Sequence, residues 1–316
     1  MNPVGAVGRA VQDYLTDRRR LGYGMHDTEL QRFARYADER GHEGPLDAER
    51  QISWARQHVS QTTSGTGTRR LETLRPFVRY YRQFEPESVV VDPSILGPSR
   101  GRLTPHIYTS NELEALVLAA TQLKRVDPLR PATYSTLFGL LAATGMRRSE
   151  ALNLLDDDVD VDGSRLVIRR TKFRKSRQLP LHPSTATALL LYRRERNQCW
   201  SRTKLQPFFV GRAGAALCGD TLHAVFSVLR QSLGWRARGD HPQPRIHDLR
   251  HTFAVRRVQQ WHEHGVPTEQ AMFWLCTYLG HAKISDTYWY LTGVPELMAV
   301  AGRRFEAFAA EPELRS

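Results

Sequence analysis

Residues 157–181 read DDVDVDGSRLVIRRTKFRKSRQLPL, and their hydrophobic period differs from that of the chain around them. Val159 and Val161 alternate with aspartates, and the stretches 166–170 and 177–181 alternate again. A period of two is typical of half-buried strands, and Asp162-Gly163 is a tight-turn pair. The stretch therefore predicts a small three-stranded antiparallel sheet in the second half of the chain.

Helical patterns lie on both sides of this stretch. Upstream, apolar residues with helical spacing predict helices within 7–20, 30–37, 52–59 and 71–81, with a loop at 60–68. Downstream, helices are predicted at 110–123, 132–144, 184–197, 221–233, 247–262, 268–279, around Tyr290 and at 295–308. The predicted fold class is mainly α with a small antiparallel β-sheet.

The length of 316 residues exceeds what one hydrophobic core usually holds, so two domains are expected. Prolines and glycines interrupt residues 85–104, which we interpret as a linker. The prediction is a helical domain at 1–84, a linker at 85–104 and a second domain at 105–316 that ends in the C-terminal helix.

The net charge of +12 and the sequence pI of about 10.0 predict a polyanionic partner. Nucleic acid is the commonest polyanion, although membrane surfaces and heparin-like chains also attract basic proteins. Arginines are interleaved with the fourth apolar stripe and recur in the linker, where they form either a solvated face or a face that follows a phosphate backbone. These candidate DNA-binding residues are Arg69, Arg70, Arg75, Arg79, Arg100 and Arg102.

The three cysteines, Cys199, Cys218 and Cys276, are scattered, which indicates a reducing compartment and argues against a disulfide framework or a cysteine zinc site. No apolar run approaches the roughly 20 residues that span a bilayer, and the N-terminus lacks a continuous apolar signal region. We therefore expect a cytoplasmic, nucleoid-associated protein without a membrane partner.

Four separated segments contain residue types that suit phosphoryl chemistry: TGMRRSE at 144–150, RTKFRK at 170–175, HDLRH at 247–251 and LGH at 279–281. A tyrosine, Tyr290, follows nine residues after His281. In this order and spacing, the segments resemble the signature of the tyrosine recombinase (phage integrase) family. The resemblance extends from about Tyr108 to Tyr290, and it implies a helical core-binding domain followed by a catalytic domain.

The transition state of phosphodiester cleavage places extra negative charge on the non-bridging oxygens, which a planar guanidinium can hold with two hydrogen bonds. Arg147 and Arg250 are the candidates, although each alone also fits an ordinary helix residue. The resemblance implies that Tyr290 is the nucleophile and becomes joined to the 3′ phosphate, leaving a free 5′ hydroxyl. Tyr288 is the rival nucleophile.

The resemblance also implies roles for groups that move protons. Lys172 is expected to protonate the leaving 5′ oxygen as a general acid, with Lys175 as its competitor. His247 is expected to handle the proton of the nucleophile and to contact a non-bridging oxygen. His281 is expected to donate a hydrogen bond to the phosphate.

Two further residues have weaker expected roles. Glu150 is expected to orient Arg147, and His251 is expected to pack or position rather than to act chemically. His247 and His251 are four residues apart, a spacing that can bind zinc, but no HExxH motif occurs. No metal or cofactor is expected.

The resulting functional prediction is a site-specific DNA recombinase or integrase. A mobile-element integrase or transposase-type recombinase is the first expectation, and chromosome dimer resolution is the second. The resemblance implies four protomers on double-stranded DNA, with the final helix docked on a neighbour or folded back on its own domain, and accessory proteins are possible partners. The alternatives are a type IB topoisomerase and a non-catalytic DNA-binding accessory subunit.

Overall fold

The computed structural model describes residues 5–23, 27–57, 65–98, 101–124, 126–169, 176–200, 207–293 and 297–298. The chain divides into two compact units, Met1–Arg102 and Leu103–Ser316. The predicted class, mainly α with one small antiparallel sheet, is confirmed.

The described part of the first unit contains helices α1 (Ala6–Arg20), α2 (Thr28–Asp38), α3 (Ala48–Arg56) and α4 (Thr66–Tyr81). Their apolar stripes meet in one core, in which the ring of Phe33 packs edge-on against the rings of Trp54 and Phe77. Helix α3 begins four residues before its predicted start, because the carboxylate of Asp47 accepts a hydrogen bond from the backbone N–H of Arg50 and caps the helix.

Much of the stretch 85–104, predicted as a linker, packs against the first unit. The hydroxyl of Ser88 accepts a hydrogen bond from the backbone N–H of Leu46, and Val91 is buried in the core. A 3-10 turn at Pro93–Leu96 packs on α4. The first compact unit therefore extends into the predicted linker.

The second unit contains the sheet and the remaining helices. Strands β1 (Val159–Asp160), β2 (Arg165–Ile168) and β3 (Arg177–Pro180) form an antiparallel sheet in the order β1-β2-β3, as predicted. The described helices are α5 (Ser110–Thr121), α6 (Arg130–Thr144), α7 (Arg148–Leu152), α8 (Pro183–Cys199), α9 (Gly219–Ser232), α10 (Ile246–Glu263), α11 (Thr268–Leu279) and α12 (Ser285–Gly293).

Two apolar clusters hold the second unit together. The larger one surrounds α6, whose Leu137 and Phe138 are fully buried, and includes the inward-facing side chains of the sheet. The other joins α10, α11 and α12 through residues such as Met272 and Leu275, and it contains Tyr290. This second cluster brings together segments that are separated in sequence. Of the predicted helix at 295–308, only Leu297 and Met298 lie within the described residues.

Candidate active site

A tight turn places Arg147 between two helices. Helix α6 ends at Thr144 because Gly145 adopts a left-handed conformation, with φ of +59°, that a side chain would strain. Two residues later, the backbone N–H of Arg147 donates to Glu150 Oε2 at 2.9 Å, which fixes the start of α7. The Arg147 side chain is 30% exposed, so part of its guanidinium is open to a ligand.

Arg250 lies on α10 and is almost fully buried. Its two terminal nitrogens donate to the backbone carbonyls of Gly145 and Leu279, both at 2.8 Å. Burial and the positive charge of Arg147 lower the pKa of Arg250 to about 10, so it stays charged at neutral pH. Arg250 thus connects the turn after α6 to the end of α11.

The end of α11 holds three arginines through three successive carbonyls. Arg177 Nε donates to Tyr278 O at 2.9 Å, Arg250 Nη2 donates to Leu279 O, and Arg147 Nη2 donates to Gly280 O at 3.1 Å. The last carbonyls of a helix lack partners within the helix and carry partial negative charge, which favours cations at this position. The helix end therefore brings together the two arginines predicted from sequence and a third that was not.

Arg177 was not among the predicted site residues. It also donates from Nη1 and Nη2 to the two carboxylate oxygens of Glu150, at 3.0 and 2.9 Å. Its place at the start of β3, two residues before the buried Leu179, puts it on the inward face of the strand. The alternation of buried and exposed residues in β3 was the signal that could have identified Arg177, because a charged residue on a buried face needs a partner.

Glu150 is the shared acceptor of Arg147 and Arg177. Its side chain is 6% exposed and also accepts a bond from Arg147 Nη1 at 2.9 Å. Burial opposes ionisation of the carboxyl, but the hydrogen bonds from Arg177 and the Arg147 backbone outweigh it and lower the pKa of Glu150. Glu150 is therefore ionised at neutral pH and links β3 to the turn that carries Arg147.

Tyr290 projects from α12 into the apolar cluster, where it is 2% exposed. Its hydroxyl lies 3.1 Å from Nδ1 of His251, a residue for which only packing or positioning was expected. The neighbouring Tyr288, the rival nucleophile, is 37% exposed. The ring of His281 lies parallel to that of Tyr290, with 6.5 Å between the ring centroids.

The two predicted histidines, His281 and His247, have different neighbours. His281 follows the left-handed Gly280, and its Nδ1 is 2.7 Å from the hydroxyl of the buried Thr287. His247 is exposed overall and lies edge-on to the ring of His251, with 4.8 Å between centroids. Desolvation by neighbouring groups and the charges of Arg250 and Arg245 lower the pKa of His247 to about 4.

The model of the phage integrase family matches residues 107–294, more than half of the chain. The chain belongs to this family. It is accordingly an enzyme of the tyrosine recombinase type, which breaks and rejoins DNA.

Two relatives illustrate how far the similarity of this integrase-family chain extends. It is 37% identical over 306 residues to a candidate integrase/recombinase, y4rB, of Sinorhizobium fredii (strain NBRC 101917 / NGR234), covering 94% of this chain and 96% of the relative. It is 26% identical to the tyrosine recombinase XerC of Alcanivorax borkumensis, covering 74% of this chain and 70% of the relative.

Solved structures of recombinases share the fold of this family member. One is the XerH site-specific recombinase bound to a palindromic difH substrate after cleavage, with a TM-score of 0.65, 19% identity, and coverage of 94% of this chain and 84% of that one. Another is the Tn1549 transposon integrase in complex with transposon right end DNA, with a TM-score of 0.63, 18% identity, and coverage of 89% and 94%.

Some predicted residues of this recombinase lie outside the described part of the chain. These are Lys172 and its competitor Lys175, which fall between β2 and β3, and Arg100.

Within the described ranges, no group of three or more His, Cys, Asp or Glu side chains could hold a metal ion. No helix among the same residues is long and apolar enough to cross a membrane.

The predicted DNA-binding arginines differ in their environments. Arg69, Arg79 and Arg102 are exposed, and Arg75 is half-buried. Arg70 has a side chain only 17% exposed, donates to the backbone carbonyls of residues 55 and 57, and lies 3.5 Å from a carboxylate oxygen of Glu29. Arg70 therefore ties α4 to α2 and α3, whereas Arg69 and Arg79 are available to solvent.

Proposed function

We propose that this enzyme cuts and rejoins double-stranded DNA at specific sites through a covalent 3′-phosphotyrosine on Tyr290. The observation that carries the proposal is the convergence of Arg147 and Arg250 on the end of α11, beside the apolar cluster that contains Tyr290. Two fixed guanidinium groups form a cradle for one phosphate, because each can donate to a non-bridging oxygen.

In the proposed reaction, the oxygen of Tyr290 attacks the phosphorus and the bond to the 5′ oxygen breaks. Arg147 and Arg250 neutralise the charge that develops on the non-bridging oxygens, and His281 and His247 add hydrogen bonds to the same oxygens. Lys172 supplies the proton that the leaving 5′ oxygen needs. Because the phosphotyrosine preserves the phosphodiester bond energy, a 5′ hydroxyl can reseal the strand without ATP or a metal.

Glu150 keeps Arg147 in place without touching the phosphate. Its carboxylate accepts from both the backbone and the side chain of Arg147, which limits the rotamers open to that arginine. Preorganised donors spend less free energy on reorganisation when charge develops in the transition state. We therefore assign Glu150 as a positioning residue for Arg147.

The biological role we infer is recombination of a mobile element, with a tetramer of this chain on two DNA sites. The similarity to the S. fredii integrase/recombinase and to the fold of the Tn1549 transposon integrase supports this role. Chromosome dimer resolution is the second candidate, which the similarity to XerC favours. The exposed Arg69 and Arg79 on α4, with Arg102, are the proposed phosphate contacts outside the active site. We place the protein in the cytoplasm, on the nucleoid.

A nicked suicide substrate made from the DNA that flanks the gene tests the chemistry. Wild type is expected to give a covalent protein–DNA band on a denaturing gel without added metal, and Tyr290→Phe is expected to give none. Tyr288→Phe is the matched control, because it removes the same hydroxyl from an exposed neighbour on α12. A band that survives in Tyr290→Phe identifies another nucleophile.

Two further assays separate the alternatives. Recombination between two sites on separate DNA molecules, with little relaxation of a supercoiled plasmid that lacks a site, is expected of a recombinase. Relaxation without exchange indicates the type IB topoisomerase alternative. Binding of the flanking DNA without any covalent band indicates an accessory subunit.

A further inference from the structure

His251 lies in hydrogen-bond contact with the Tyr290 hydroxyl, whereas the sequence pattern nominates His247 for the proton of this tyrosine. The distance from Nδ1 of His251 to the tyrosine oxygen is 3.1 Å, within the range for proton transfer along a hydrogen bond. His251 follows Arg250 on α10, and its ring packs edge-on against the rings of Trp289 and Tyr290. The histidine thus packs against the nucleophile and against the tryptophan that precedes it.

We propose that His251 is a catalytic residue that accepts the proton of Tyr290 during cleavage and returns it during rejoining. This inference rests on the proposed phosphotyrosine chemistry. As the O–P bond to Tyr290 forms, the phenolic O–H bond breaks and its proton moves to Nδ1 of His251. The electron pair of the breaking P–O5′ bond takes a separate proton from Lys172, so charge and protons balance in both directions.

The surroundings of His251 hold its imidazole in the neutral form. Its burial and the nearby His247, Arg245, Arg250 and His241 all lower its pKa, so the imidazole is neutral before DNA arrives and its Nδ1 can accept a proton. A docked phosphodiester would bring negative charge close to the imidazole of His251. That charge favours the imidazolium at the moment when the proton is transferred.

His247 is better placed for a different task. It is exposed, whereas the ring of His251 is half-buried between His247 and Tyr290. An exposed imidazole at the start of α10 is accessible to an incoming phosphate oxygen, and the helix N-terminus favours an anion there. The geometry thus divides two roles between the histidines: His247 contacts the phosphate and His251 takes the proton.

Single-turnover cleavage of the suicide substrate between pH 6 and 9 tests this division. His251→Asn keeps a hydrogen-bond acceptor near the Nδ1 position but cannot accept a proton at these pH values. It is expected to slow cleavage by about 10²–10⁴-fold at pH 7, with DNA affinity unchanged, and its rate should rise steeply with pH as tyrosinate forms unaided. His251→Gln serves as the second variant if the first unfolds.

Two chemical substitutions distinguish proton acceptance from a structural role. Replacing Tyr290 with 3,5-difluorotyrosine lowers the phenol pKa and should restore much of the rate lost in His251→Asn. A 5′-bridging phosphorothiolate, whose leaving group needs no proton, should not restore it, although it should rescue Lys172→Ala.

Other outcomes overturn the inference. A wild-type rate and pH profile in both His251 variants shows that another group takes the proton. Rescue of His251→Asn by the phosphorothiolate would mean that His251 acts on the proton of the leaving group. A steep pH profile in His247→Gln, and not in His251→Asn, would mean that His247 accepts the proton of Tyr290. Absence of a covalent product with wild type itself refutes the phosphotyrosine proposal, a result that the variants cannot mimic.

Discussion

Arg177→Ala is the change that tests the arginine network most directly. The wild-type side chain makes three hydrogen bonds, one to the carbonyl of Tyr278 and two to the carboxylate of Glu150. The Arg177 and Glu150 side chains are 13% and 6% exposed, so solvent cannot replace the lost donors. The variant leaves a buried carboxylate with only the donors of Arg147.

The expected cost follows from that burial. Removing one partner of a buried ion pair typically costs about 3–5 kcal/mol, because the remaining charge stays desolvated. For a domain of about two hundred residues, each kcal/mol lowers Tm by about 2–4 °C. Arg177→Ala should therefore lower the Tm of the second unit by about 6–20 °C.

Thermal unfolding followed by circular dichroism measures this shift in the full chain. Arg165→Ala is the matched control, since Arg165 lies on the adjacent strand and its ion pair with Asp160 is exposed, so its Tm should not change measurably. Combining Arg177→Ala with Glu150→Gln should cost less than the sum of the two single changes. A Tm fall below about 2 °C, or strict additivity, would refute the reasoning.

Three further predictions concern other parts of the molecule. Gly145→Ala should lower the free energy of unfolding by at least about 2 kcal/mol and slow cleavage, because the φ of Gly145 is +59° and a Cβ would lie 2.4 Å from the ring of Phe253. Gly139→Ala is the control, because a Cβ there meets open space and should not destabilise the protein. Tm values and single-turnover cleavage rates test both variants. Arg79→Ala should weaken DNA binding and reduce the slope of log affinity against log salt concentration by about one, without lowering Tm. Arg70→Ala should instead lower Tm, because its side chain is mostly buried. Salt titrations of DNA binding and melting curves distinguish the two variants. Folding lowers the pKa of His251, so below pH about 6.5 the unfolded chain binds more protons than the folded chain. The free energy of unfolding should therefore fall as the pH is lowered from about 6.5. Urea titrations at several pH values should show a shallower fall for His251→Gln than for wild type.

Most helices and strands of this chain could be predicted from sequence, because the spacing of apolar residues follows the face that a helix or strand buries. The sheet was predicted from alternation over 157–181, and helices such as α1 and α4 were predicted from their apolar stripes. The five-residue α7 was missed because one turn is too short to show a period. The packing of 85–98 onto the first unit was missed because its proline-rich composition resembles that of an extended linker, while the contacts of Ser88 and Val91 are tertiary.

The sequence predicted the residue types of the site but not the contacts that those residues make. Charged groups such as Arg147 and Arg250 stood out by motif, and the structure places both at the end of α11. The contacts of Arg177 and His251 could not be predicted, because they depend on how β3 and α12 pack rather than on local spacing. A main-chain carbonyl acceptor, in particular, has no signature in the amino-acid sequence.

The use of consecutive main-chain oxygens at the end of α11 makes the site tolerant of one class of change and vulnerable to another. A point substitution within α11 leaves all three carbonyls in the chain, so the helix can diverge in side chains while its acceptors persist. A one-residue insertion or deletion in α11 rotates the helix end by about 100° relative to its packed face, because a turn contains about 3.6 residues. Such a length change would displace the acceptors of Arg147, Arg177 and Arg250 simultaneously. The length and phase of α11, more than its composition, should therefore be what evolution holds constant.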